Sequence, residues 1–155
     1  MATFLQTELE EIAKYITKME LRNETVSQKS IAWHLDHDLR VIVRVCTALT
    51  DSDLSAYRIN FSFIRTLVFI QNKFPRGKAR APKQVTPKDV ITQNELETRL
   101  AKAYELVEKV ETLQPNANFK HHIFGLLNLR QTKKFLRIHT RHHLAIVQDI
   151  EKAES

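Results

Sequence analysis

Asn128–Ile150, NLRQTKKFLRIHTRHHLAIVQDI, is the stretch whose reading decides the fold. At about 100° per residue, Leu129, Phe135, Leu136, Ile146, Val147 and Ile150 fall on one stripe, the signature of an amphipathic helix. Asn128 with Gln131 three residues on supplies the N-cap and its partner, so the spacing predicts a helix from Asn128 to about Ile150. His139 and His143 lie inside the apolar stripe, one turn apart. Two inward imidazoles need either several buried hydrogen-bond partners or one shared metal ion to satisfy their nitrogens. Thr140, rather than Glu, follows the first histidine, which excludes the zincin motif and its general base.

Working outward, the rest of the chain repeats the same periodicity. Two glycines and four prolines in 155 residues leave few helix breakers, and no strand pattern competes. A first helix is predicted from about Thr3 to Leu21, with Leu5, Leu9, Ile12, Ile16 and Met19 on one face. Thr25 and Gln28 offer a capping box for a second helix, whose stripe of Ile31, Leu35, Ile42, Cys46 and Leu49 runs down to about Thr50. Phe61, Ile64, Leu67, Val68 and Phe69 form a short third helix, apolar around much of its circumference and therefore expected to be covered by other elements. Thr92 and Glu95 cap a fourth, carrying Leu96, Leu100, Ala103, Val107 and Val110 before Pro115. Four long amphipathic helices and one short one predict an all-α four-helix bundle, with residues 1–155 as a single domain.

Between the third and fourth helices, Pro75, Gly77, Pro82 and Pro87 mark a long connection. Its Lys73, Arg76, Lys78, Arg80, Lys83 and Lys88 match in number the net charge of +6. Without aromatic interleaving, zinc-finger spacing or a glycine-rich phosphate loop, this cluster reads as a solvated basic loop ahead of a nucleic-acid site. It is also a candidate to steer an anionic substrate. The lone Cys46 on an apolar stripe reads as a packed thiol. An N-terminus without a basic region and the absence of any apolar run near ~20 residues predict a soluble, cytoplasmic protein with no membrane segment.

A third ligand belongs on a facing helix, where Trp33-His-Leu-Asp-His-Asp38 stands. With Ile31 at the centre of the buried face, His34 lies about 60° away and His37 about 120° away. His34 is therefore the predicted ligand beside His139 and His143. Asp38, one turn beyond His34, also falls on the buried face, where an isolated carboxylate is costly without a cation. Without a metal, His34 and Asp38 would instead form a hydrogen-bonded pair and His37 a solvated edge residue.

On His34-Leu35, the His139/His143 pair, and the stretches His121-His-Ile-Phe-Gly125 and His139-Thr-Arg-His-His143, the chain resembles the DinB-like metalloenzyme superfamily. In particular it is similar to a subgroup with a His-Pro-x-Phe-Gly loop and a His-x-x-His-His ending, although His122 stands where that loop has proline. The resemblance implies a four-helix bundle with a three-histidine site for nickel or zinc, often in a homodimer, and a chemistry of low-molecular-weight thiols. The expected function is that of a divalent-metal-dependent enzyme acting on a small-molecule substrate. A small-thiol S-transferase is the first reaction class and a metal-assisted hydrolase the second. Asp38, His37 and His121 are candidates for proton transfer or ligand orientation, with packing as the alternative for His121. A non-catalytic metal-binding or stress-response protein is the competing class, and nucleic-acid binding ranks last.

Overall fold

A computed structural model describes residues 1–76 and 83–155, apart from the Lys83 side chain. Five helices follow one another: α1 (Gln6–Tyr15), α2 (Ile31–Asp51), α3 (Phe63–Gln71), α4 (Gln93–Val110) and α5 (Leu129–Glu154). The long ones, with α1, bury their stripes against one another as the periodicity predicts, α2 lying against both α4 and α5 while α1 closes the remaining side. Leu9, Leu35, Ile42, Leu96, Val107, Leu136, Val147 and Ile150 are fully enclosed between them.

The first helix is shorter than its stripe predicts. After Tyr15 the chain tightens into a 3₁₀ turn at Ile16–Lys18. The Met19 and Leu21 carbonyls then accept the backbone N–H groups of Ala32 and Ile31, each at 2.9 Å. Those carbonyls satisfy the orphan donors of the α2 N-terminus instead of prolonging their own helix. Thr25 and Gln28 do not cap α2, because the Asn23 side chain draws the Thr25 N–H into a local turn at 3.0 Å. The cap is Ser30, whose hydroxyl accepts from the Trp33 N–H at 3.3 Å. At α4 the predicted box is present: the Thr92 hydroxyl accepts from the Glu95 N–H, and the Glu95 carboxylate accepts from the Thr92 N–H. Replacing Thr92 by Ala should cost about 1 kcal/mol. In a thermal melt that appears as a midpoint lower by about 2–4 °C for a chain of this size; no change would mean that packing alone holds this helix start.

Two further expectations are overturned. A two-stranded antiparallel hairpin, β1 (Asn118–His121) with β2 (Gly125–Asn128), precedes α5 where no strand is expected. Four-residue strands are too short to show an alternation, and the turn is held by a side chain. His121 Nδ1 accepts both the Ile123 and Phe124 N–H groups at 3.0 Å, and Gly125 takes φ +76°. The third helix, in turn, is not covered. Only Arg65 and Val68 of α3 are buried, while Phe63, Ile64, Leu67 and Ile70 stay exposed.

Candidate metal centre

From His34 to Leu39 every residue of α2 is buried, polar and apolar alike. The helix is enclosed by α4 on one side and α5 on another, while the 3₁₀ turn Lys83–Val85 at the end of the basic connection covers a third. His34, His37 and Asp38 keep 4, 3 and 0% of their surface, so each must find its partners inside the protein. One ligand nitrogen from each of His37, His139 and His143 lies within 4.8 Å of the other two, α2 contributing the first and α5 the second and third.

The hydrogen-bond partners fix what these nitrogens offer. His37 Nδ1 sits 2.8 Å from the Val85 carbonyl, which only accepts, so Nδ1 carries the proton and Nε2 is a lone pair. That lone pair faces His139 Nε2 at 3.2 Å. Behind His139, its Nδ1 lies 3.4 Å from Asp38 Oδ1. If the carboxylate is ionised, it too only accepts, and His139 likewise presents a lone pair at Nε2. Two lone pairs at that distance repel unless a proton or a cation lies between them. The separation suits the cation: two ligands about 2.0–2.1 Å from one ion at a tetrahedral angle stand roughly 3.3 Å apart.

Asp38 strengthens the case. Neither of its oxygens nor His139 Nδ1 has a hydrogen-bond partner among the described residues, because the 3.4 Å approach is poorly aligned. Burial pushes the Asp38 carboxyl well above the usual carboxylate range. A fully buried acid beside an imidazole that faces a second imidazole is a costly arrangement for an empty core and a familiar one behind a metal ligand. The donor set therefore fits a divalent ion.

On the other flank, His143 Nδ1 meets His34 Nδ1 at 2.9 Å, and His34 Nε2 meets the Ser27 hydroxyl at 2.9 Å. This chain closes without conflict: His143 Nδ1–H donates to His34, whose Nε2–H donates to Ser27, leaving Nε2 of His143 as its free lone pair. Each of the three imidazoles thus has its Nδ1 beside a partner, Val85, Asp38 or His34. Burial depresses the affinity of every one for a proton: His34 falls to about 3, while His37, His139 and His143 shift below the usual imidazole range, His139 and His143 helped by neighbouring imidazoles. Neutral imidazole is the form that binds metal. Trp33 stacks on His37 at 5.1 Å, and Phe135 and Phe74 pack against His139 at 5.7 and 6.0 Å, forming an apolar wall. The His139 side chain retains 15% of its surface, so solvent reaches the cluster from that side.

The structure brings together His139 and His143 as predicted, but the third member of the close group is His37, where the sequence reading takes His34. His34 is inward and one contact away. His37 is neither a solvated edge residue nor remote, and His34 pairs with Ser27 and His143, not with Asp38. The helical wheel assigns one buried face, whereas the returning Lys83–Val85 turn covers a second, and no wheel of α2 alone contains that cover. The sequence did hold a signal: four of the six residues from Trp33 to Asp38 are His or Asp, more than one solvated face accommodates. His121 is set apart, its Nδ1 committed to the hairpin turn and its ring stacked on Phe124 at 4.4 Å, the packing role. The basic connection reaches the site at both described ends, through Phe74 and the Val85 carbonyl, while Arg76 pairs with Asp149 of α5 at 3.0 Å. Lys78 and Arg80 lie outside the described residues. No helix is long and apolar enough to cross a membrane among the described residues. No family model matches the chain, nor does any curated protein or solved structure.

Proposed function

We propose that the protein is a divalent-metal-dependent enzyme of the DinB-like type, with His37, His139 and His143 as the ligands. The observation that carries this reading is the pair of Nε2 atoms, His37 and His139, facing each other at 3.2 Å, with the Val85 carbonyl behind the first ring and the Asp38 carboxyl behind the second. Val85, Asp38 and His34 stand behind the three rings, and a cation at the ligands would in turn favour ionisation of Asp38 behind His139. His37, His139 and His143 would hold a divalent ion such as zinc or nickel, which would supply Lewis acidity toward a water or a small thiol. The partly exposed His139 side chain lies at the edge of the cluster, and the wall of Trp33, Phe74 and Phe135 lowers the local dielectric around it. Transfer of a low-molecular-weight thiol to an electrophile is the first reaction class and metal-assisted hydrolysis the second, both carried by the resemblance of the histidine motifs.

The test uses protein purified without a histidine tag, stripped with a chelator and reloaded with zinc or nickel. One ion per chain by elemental analysis, and turnover of thiol and electrophile only in the reloaded protein, is the expected result. Turnover of esters or amides but not thiols moves the reaction to hydrolysis. A chain that takes up no stoichiometric metal removes the reading altogether.

A further inference from the structure

Around the buried carboxylate of Asp36, α2 and α4 carry more positive charge than that one acid neutralises. Arg40 and Arg99 each turn a single donor toward it, the Nε–H group, at 2.6 and 2.9 Å. A guanidinium has five N–H groups, and the four that remain on each arginine have no acceptor among the described residues. Arg44 stands one turn beyond Arg40 on α2, exposed and with no hydrogen bond or ion pair among the described residues. Like charges one turn apart repel on a helix, and the other residues three and four away from Arg44 are Val41, Thr47 and Ala48, so no neighbour on the helix offsets the repulsion. These three arginines line one open pocket of about 510 Å³, reached by Gln84 of the Lys83–Val85 turn and by Phe119 of β1. Its volume lies within the roughly 300–1,000 Å³ of small-molecule sites, and no acidic side chain lines it.

We infer that this pocket binds a small organic phosphomonoester, its phosphate on the three arginines and its carbon body against Phe119 and Val43. Charge is the first argument. Three guanidinium groups less the one Asp36 carboxylate leave two positive charges, and a phosphomonoester carries roughly −1.5 to −2 near pH 7. Shape is the second. A phosphate offers three strong acceptor oxygens to the planar forks that arginine presents, whereas a lone carboxylate offers two oxygens and a single charge. Order is the third: the bonds to Asp36 already hold Arg40 and Arg99, so an arriving anion has only Arg44 to immobilise, which lowers the entropy lost on binding. The pocket shares no residue with the His37, His139 and His143 group, and the inference does not rest on the metal reading.

Calorimetric titration of the full chain with phenyl phosphate, in a phosphate-free buffer, should show one site per chain, weakening as salt is raised. Inorganic phosphate, which lacks the carbon body, should bind the same site less tightly. Arg44→Gln should weaken phenyl phosphate at least ~10-fold, the scale of losing a hydrogen bond to a charged group. Arg44→Lys, which keeps the charge without the fork, should recover part of that loss. Both variants should melt with the wild type, since Arg44 holds no other element in place. Stripping the chain with a chelator, followed by dialysis, should leave the titration unchanged. Binding that survives Arg44→Gln overturns the inference, as does a wild-type chain that takes up neither phosphate. Binding lost on stripping, at unchanged circular dichroism, overturns it by placing the anion on a metal. Succinate bound more tightly than either phosphate overturns the phosphomonoester in favour of a dicarboxylate.

Discussion

His37→Ala is expected to abolish tight zinc or nickel binding, while His34→Ala weakens it only about 10–100-fold, the range for losing a residue that orients a ligand. The asymmetry follows from the two hydrogen-bond chains. Removing His37 deletes one of the two facing Nε2 lone pairs and leaves His139 and His143 alone on α5. Removing His34 deletes the acceptor behind His143 Nδ1 but no nitrogen of the close group. Asp38→Asn should resemble His34→Ala, because the carboxylate stands behind His139 and outside the group. Calorimetric titration of the stripped protein ranks the variants. Tight binding retained by His37→Ala and lost in His34→Ala would return the third ligand to His34, the choice that the helical wheel alone supports. All three variants should stay folded, since burial already keeps the imidazoles neutral and no charged pair is broken at His34 or His37.

What could be read in advance has a physical boundary. The Thr92–Glu95 and Asn128–Gln131 boxes are local, three residues apart, and both form as their spacing predicts. His139 and His143 are equally local, one turn apart on a helix whose stripe is unambiguous. His37 depends on a distant event: the chain leaves α3, travels through the basic connection and returns with the Val85 carbonyl 48 residues later in sequence. The same limit hid the hairpin, whose turn relies on an imidazole accepting from backbone rather than on a glycine-asparagine pair. For α3 composition predicts cover, yet Phe63, Ile64, Leu67 and Ile70 stay exposed, because apolar composition does not say which other element, if any, packs against a helix.

The largest stability effect is expected at Asp36, a residue whose carboxylate is 1% exposed and bridges two helices. Arg40 Nε of α2 reaches one oxygen at 2.6 Å and Arg99 Nε of α4 reaches the other at 2.9 Å. Both arginine side chains keep about a quarter of their surface, 21 and 27%, so they can reach water if the acid is lost. The acid has no such outlet. Arg40→Met combined with Arg99→Met should therefore cost about 3–5 kcal/mol, the usual penalty for an uncompensated buried charge. Asp36→Asn, which leaves two cations facing water and one amide oxygen to accept, should cost appreciably less. Either single arginine variant should fall between wild type and the double, because one partner still neutralises the carboxylate. Urea unfolding of the four variants reads the order directly, the double losing roughly 6–20 °C of thermal midpoint at about 2–4 °C per kcal/mol. A double variant as stable as Asp36→Asn would mean that water replaces the lost arginines at the carboxylate, and that the α2–α4 contact rests on its apolar stripe alone.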